Sequence, residues 1–85
     1  MSELREVRIK RLKMRSMRRG IKEMDLILSA YADRNLNDMD APALDSYDAL
    51  LQENDQDLYQ WVTGQVQPPD SFTGLIADIA QTFQK

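Results

Sequence analysis

Ile21, Met24, Ile27, Leu28 and Tyr31 fall within a third of a turn of one another at 100° per residue, and no stretch of the chain sustains strand-like alternation. That single stripe sets a helix from Gly20 to about Arg34 and commits a short chain to helix-on-helix packing. With 85 residues there is room for one domain, and such a chain buries only about 60% of the surface it exposes when unfolded. The core must therefore be thin and built from few side chains.

Three further helices follow from local signals. Met39 and Leu44 bracket Asp40 as a hydrophobic staple brackets an N-cap, and Leu44, Tyr47 and Leu51 continue at helical spacing, with Pro42 tolerated in the first turn. After the polar break Gln52 to Gln56, Asp55 is expected to cap a short helix that carries Leu58, Trp61 and Val62 on one face until Gly64 ends it. Pro68 and Pro69 cannot continue that helix. Asp70 or Ser71 is expected to cap the last one, whose apolar stripe reads Phe72, Leu75, Ile76, Ile79, Ala80 and Phe83. The opening segment is also helical by pattern, but Leu4, Val7, Met14 and Met17 lie on one side and Ile9 and Leu12 on another. The expected fold class is all-α, a single-domain bundle of about five short helices over residues 1–85, with 1–6 and 84–85 frayed. Trp61 and the apolar stripes are expected in its core.

Charge is sharply segregated along this bundle. Residues 1–22 hold nine Lys or Arg against Glu3 and Glu6, a balance of +7, so the remainder carries −10 to reach the net −3. Such polarity suggests a partner for one pole. The basic run is not expected to be an export leader, because no apolar region follows it, and no stretch approaches the roughly 20 apolar residues of a membrane span. A cytoplasmic protein with no membrane insertion is expected. With neither His nor Cys, the usual neutral-pH base, the commonest metal ligand and the thiol nucleophile are all missing.

Several motifs fail as chemistry. Asp33, Asn35 and Asn37 copy the first ligand positions of a calcium loop, but Asp38 stands where the turn glycine belongs and Leu44 where the bidentate Glu belongs. Glu53, Asp55 and Asp57 are more simply caps and solvated surface than an acid/base pair. The step Arg19-Gly20-x-x-Glu23 is different. On the wheel of the second helix Arg19, Glu23, Leu26 and Ala30 form a strip facing away from the core, and Arg before Glu at i, i+4 is the less favourable order for helix support. The wheel alone leaves two readings equally open, a docking face or a structural cap with an exposed ion pair.

Residues Ser16-Met17-Arg18-Arg19-Gly20-Ile21-Lys22-Glu23-Met24-Asp25, followed by Leu50-Leu51-Gln52-Glu53-Asn54-Asp55-Gln56-Asp57-Leu58-Tyr59-Gln60-Trp61-Val62, resemble the two signature blocks of the SdhE family, the assembly factors of the succinate dehydrogenase flavoprotein. The likeness runs from about Val7 to Ile79. It departs at Gln56, where relatives often carry proline, and in the tail with Pro68-Pro69. The resemblance implies a five-helix fold and a non-enzymatic chaperone that binds the flavoprotein subunit of succinate dehydrogenase, or of fumarate reductase as well, and promotes covalent attachment of FAD. By the same resemblance Arg19, Gly20 and Glu23 lie at the partner interface with Arg18, Asp25 and Leu26 beside them, and Asp55, Asp57, Tyr59 and Trp61 form a second block. FAD belongs to the client and is not bound stably by this chain, which is expected to be a monomer when free. A competing expectation is a small nucleic-acid-binding or antitoxin-like protein acting through the +7 segment.

Overall fold

In the computed structural model, which describes residues 4–83, five α-helices and two 3-10 turns follow one another with no strand among the described residues. Helix α1 spans Arg5–Arg15, α2 Lys22–Asn35, α3 Ala41–Leu50, α4 Asp55–Val62 and α5 Thr73–Phe83. A 3-10 turn at Leu36–Asp38 joins α2 to α3, and another at Asp70–Phe72 leads into α5. The all-α bundle expected from periodicity is the fold observed. Arg5 and Glu6 are already helical and Leu4 is the extended residue before them, while 1–3 and 84–85 lie outside the described residues.

Helix α2 is the axis of the bundle and packs against α1, α4 and α5. Its Met24, Ile27, Leu28, Tyr31 and Ala32 are buried in a cluster with Leu44, Tyr47, Leu50, Leu58, Val62, Ile76 and Ile79. The Tyr31 and Tyr47 rings meet at 5.8 Å, tilted by 32°. Burial pushes the Tyr47 hydroxyl up to about 12, opposed by its hydrogen bond with Ser16 and the nearby Arg19 charge. Tyr31 rises to about 12 as well, from burial first, then the negative charge of Asp78, then Tyr47 and a hydrogen bond with Asp78. Ser16 is the buried polar residue of the core, its Oγ donating to the Leu12 carbonyl at 2.8 Å and meeting the Tyr47 hydroxyl at 2.6 Å. Since a serine carries one hydroxyl proton, Tyr47 is the donor in the second bond.

Helix α1 settles its ambiguous wheel in favour of Ile9 and Leu12, which are buried, and leaves Leu4, Val7, Met14 and Met17 exposed. Electrostatics explains the choice. Arg8 pairs with Asp45 and Asp48 of α3, Arg11 reaches Asp48 at 3.3 Å, and Arg15 reaches Asp48 at 2.6 Å. The two poles of the sequence therefore meet within one molecule, and the basic segment has its counter-charge in α3.

The helix ends and their apolar stripes follow sequence logic with four corrections. Asp40 caps α3 as expected, accepting from the Ala43 N–H at 3.0 Å. Gly64, at φ +81°, ends α4 with Gln65 N–H bonded to Gln60 and Gly64 N–H to Trp61, the paired bonds of a Schellman turn. The cap of α4 is Asn54, which accepts from Gln56 N–H at 2.8 Å; Asp55 is the first helical residue, and its carboxylate is engaged elsewhere. Neither Asp70 nor Ser71 caps α5, because the 3-10 turn hands the chain over directly and the Pro69 carbonyl accepts from Phe72 N–H at 2.9 Å. Phe83, placed on the core stripe by pattern, remains 45% exposed at the end of α5. Trp61 is only partly buried, lying against Phe72 with ring centroids 6.1 Å apart.

Candidate partner-binding site

Between α1 and α2 the chain turns sharply at Arg18, which adopts φ +58° without being glycine. A left-handed non-glycine residue costs about 1 to 2 kcal/mol, so something must hold it. Asp25 does so. One of its carboxylate oxygens accepts the Arg18 N–H at 2.8 Å and the other accepts the Ser29 hydroxyl at 3.3 Å. Asp25 thus holds the Arg18 turn from the first turn of helix α2.

The turn takes Arg19 out of the helical register expected for it. Helix α2 starts at Lys22, so Arg19 does not share an outward strip with Glu23, and its side chain points into the bundle with 12% exposed. Its Nε donates to Asp55 Oδ1 at 2.8 Å, Nη1 to the Arg15 carbonyl at 2.9 Å and Nη2 to the Leu51 carbonyl at 3.3 Å. The expected Arg19–Glu23 pair is replaced by an Arg19–Asp55 pair. The physical reason is burial: a guanidinium at this depth needs a carboxylate and carbonyls around it, and Glu23 lies on the solvent side of α2.

Asp55 grips two positions at once. Its other oxygen accepts the Gly20 N–H at 2.6 Å, so one carboxylate holds both halves of the Arg-Gly step. The same contact accounts for glycine. A Cβ at position 20 would stand 3.1 Å from Asp55 Oδ2, closer than ordinary van der Waals contact. The two sequence blocks, 35 residues apart at this contact, thus form one unit, with Asn54 capping α4 and Asp55 released to clamp the turn.

The remaining predicted residues divide by exposure. Arg18, Gly20, Glu23 and Leu26 face solvent, Leu26 with 65% of its surface exposed. Asp57 is exposed on the first turn of α4, whereas Tyr59 and Trp61 are half-buried against the core, and among the described residues no side-chain hydrogen bond ties either to the Arg-Gly turn. Sequence reasoning missed the clamp role of Asp55, because nothing local marks which of many carboxylates meets Arg19. It also missed a shallow groove of about 240 Å³ between α2 and α5, on whose rim Glu23 and Leu26 lie with Thr82 and Phe83.

Chemically the site is built for contact. Tyr31 and Tyr47, the two shifted titrating groups, are moved away from neutrality, which suits packing and not proton transfer. No group of three or more Asp, Glu, His or Cys among the described residues is placed to hold a metal ion. No helix among them is long and apolar enough to cross a membrane.

Residues 10–83 match the family described as flavinator of succinate dehydrogenase. Among curated proteins, the chain is 35% identical over 85 residues to a relative from Danio rerio, covering 98% of this chain and 54% of that one. A relative from Meyerozyma guilliermondii is 46% identical over 61 residues, 72% of this chain and 45% of its own. One from Candida glabrata is 53% identical over 53 residues, 62% and 35%. All three are named succinate dehydrogenase assembly factor 2, mitochondrial, and the chain spans about half their length or less.

Proposed function

Because the chain belongs to the family of flavinators of succinate dehydrogenase, we propose that it is an assembly factor that binds the flavoprotein subunit of that enzyme and promotes covalent attachment of FAD to it. The observation that carries this reading is the clamp of Asp55 on Arg19 and Gly20. It joins the two blocks that carry the family resemblance and fixes the turn from which Glu23 and Leu26 project on the first two turns of α2. Arg18, Glu23 and Leu26 make the contacts with the client, while Arg19, Gly20, Asp25 and Asp55 hold the turn in shape. Asp57 lies on the neighbouring rim, and Tyr59 and Trp61 act through packing of α4.

The bond-forming groups belong to the client, and this chain works as a chaperone without catalysis of its own. The groove of about 530 Å³ between α2, α3 and α5 does not suit FAD, being walled by Asp38, Asp40 and Asp78, the wrong sign for its pyrophosphate. A small protein of this kind helps by binding one arrangement of its client more tightly than another; moving a two-state equilibrium from 1:99 to 99:1 takes about 5.5 kcal/mol of differential affinity. The flavoprotein of fumarate reductase is a second client of the same chemistry. The site of action is the compartment in which the client takes up FAD, the cytoplasm in the sequence reading.

The nucleic-acid alternative is weakened, since four of the nine basic residues of the opening segment, Arg8, Arg11, Arg15 and Arg19, are engaged by carboxylates of the same chain. The test is made in cells that lack the chain and carry either the wild type or Glu23→Ala. Ultraviolet fluorescence of covalent flavin on a denaturing gel should appear on the client band with the wild type and fall at least severalfold with Glu23→Ala. Full flavinylation in cells without any form of the chain would defeat the reading.

A further inference from the structure

Glu23, Leu26 and Ala30 stand at i, i+3 and i+7 on the outer side of α2, and the end of α5 runs beside them. Together with the buried Ile27, they and the α5 residues Thr82 and Phe83 enclose the shallow groove of about 240 Å³. Its walls are apolar apart from the Thr82 hydroxyl and one carboxylate at the rim. Leu26 and Phe83, 65% and 45% exposed, are both large apolar side chains left in water by the fold. Ala30 is what keeps the groove open between them, because any larger side chain there would fill it.

Resting on the reading that this chain binds a flavoprotein client, we propose that the α2/α5 groove receives one large apolar side chain of the client, seated between Leu26 and Phe83 over Ala30. A Lys or Arg neighbouring that side chain on the client pairs with Glu23. Two features select this occupant. The groove is smaller than the roughly 300 to 1,000 Å³ typical of small-molecule sites, so it suits a side chain better than a flavin or other cofactor. Charge complementarity supplies the rest: no lysine or arginine lines the groove, and no ion pair to Glu23 is present among the described residues, so its carboxylate is open to a cation from outside. A buried apolar anchor beside a charge-assisted contact is the common form of an interface hot spot.

The experiment is titration of the purified flavoprotein subunit, without its flavin, with the full chain and four variants at Glu23, Leu26 and Ala30, read by calorimetry. Leu26→Asp and Ala30→Trp should each weaken binding at least tenfold, while Leu26→Met stays within about threefold of wild type. All three positions border solvent, so circular dichroism should show an unchanged helical fold. If Leu26→Asp and Ala30→Trp bind as the wild type does while Glu23→Lys is defective, the groove is not the seat and the inference fails, with the client reading intact. If the wild-type chain does not bind the flavoprotein at all, the client reading itself fails. Self-association of the wild type that Leu26→Asp abolishes, with client affinity unchanged, would assign the groove to a second copy and overturn the proposal.

Discussion

Replacing Asp55 with alanine removes the acceptor of two bonds at once, the Arg19 Nε–H at 2.8 Å and the Gly20 N–H at 2.6 Å. A hydrogen bond to a charged group contributes about 1.5 to 3 kcal/mol, and stranding one member of a fully buried ion pair costs about 3 to 5 kcal/mol. Arg19 and Asp55 keep 12% and 17% of their side chains exposed, and Arg19 retains the carbonyls of Arg15 and Leu51, so water and those acceptors soften the loss. The expected destabilisation is about 2 to 3 kcal/mol. A domain of this size unfolds with roughly 4 to 13 kcal/mol, so the variant folds, but its melting temperature should fall by about 10 to 20 °C. Thermal and urea unfolding followed by circular dichroism reads this directly. Arg19→Ala and the double variant complete a cycle whose coupling energy should exceed about 1 kcal/mol. A change below about 0.5 kcal/mol for Asp55→Ala, or additive single variants, would refute the clamp.

The same substitution should act with opposite sign at two glycines. Gly20→Ala brings a Cβ against a carboxylate pinned by two bonds and should destabilise by about 1 kcal/mol, whereas Gly74→Ala, whose Cβ meets nothing within 4 Å on α5, should stabilise by up to about 1 kcal/mol in urea titrations. Because both core tyrosines have folded values raised from 10.0 to about 12, the stability they contribute is complete below pH 10 and lost as pH climbs through 12. Unfolding free energy should therefore fall across that window, by about 2 kcal/mol for Tyr47, and Tyr47→Phe should flatten the decline. A profile level from pH 9 to 12 would contradict the burial of both hydroxyls.

Helix α2, the Asp40 cap and the Gly64 stop were legible because each is written in neighbours three or four positions apart. The Arg-Gly turn was not. Its left-handed Arg18 is a residue that usually avoids that conformation, and it is held there by Asp25, seven residues away, while Arg19 takes Asp55, thirty-six away. A wheel drawn through position 19 assumes helix where the chain has already turned, which is why the outward strip kept Glu23, Leu26 and Ala30 but lost its arginine. Asp55 was read as the cap of α4, and the tertiary demand from Arg19 and Gly20 takes it from that place and leaves the cap to Asn54. Phe83 fits the helical period yet stays half out of the core, because near the end of α5 the stripe extends past the side chains that would cover it.

Helix α1 owes its place to Asp45 and Asp48 as much as to packing, since it contributes Ile9 and Leu12 to the buried cluster and its Arg8, Arg11 and Arg15 converge on those two carboxylates. Attraction of that sort fades as dissolved ions crowd around it, whereas the contacts gathered about α2 are indifferent to them. Ionic strength thus acts on this small fold unevenly, loosening its first eleven-residue helix while the remaining four stay shut.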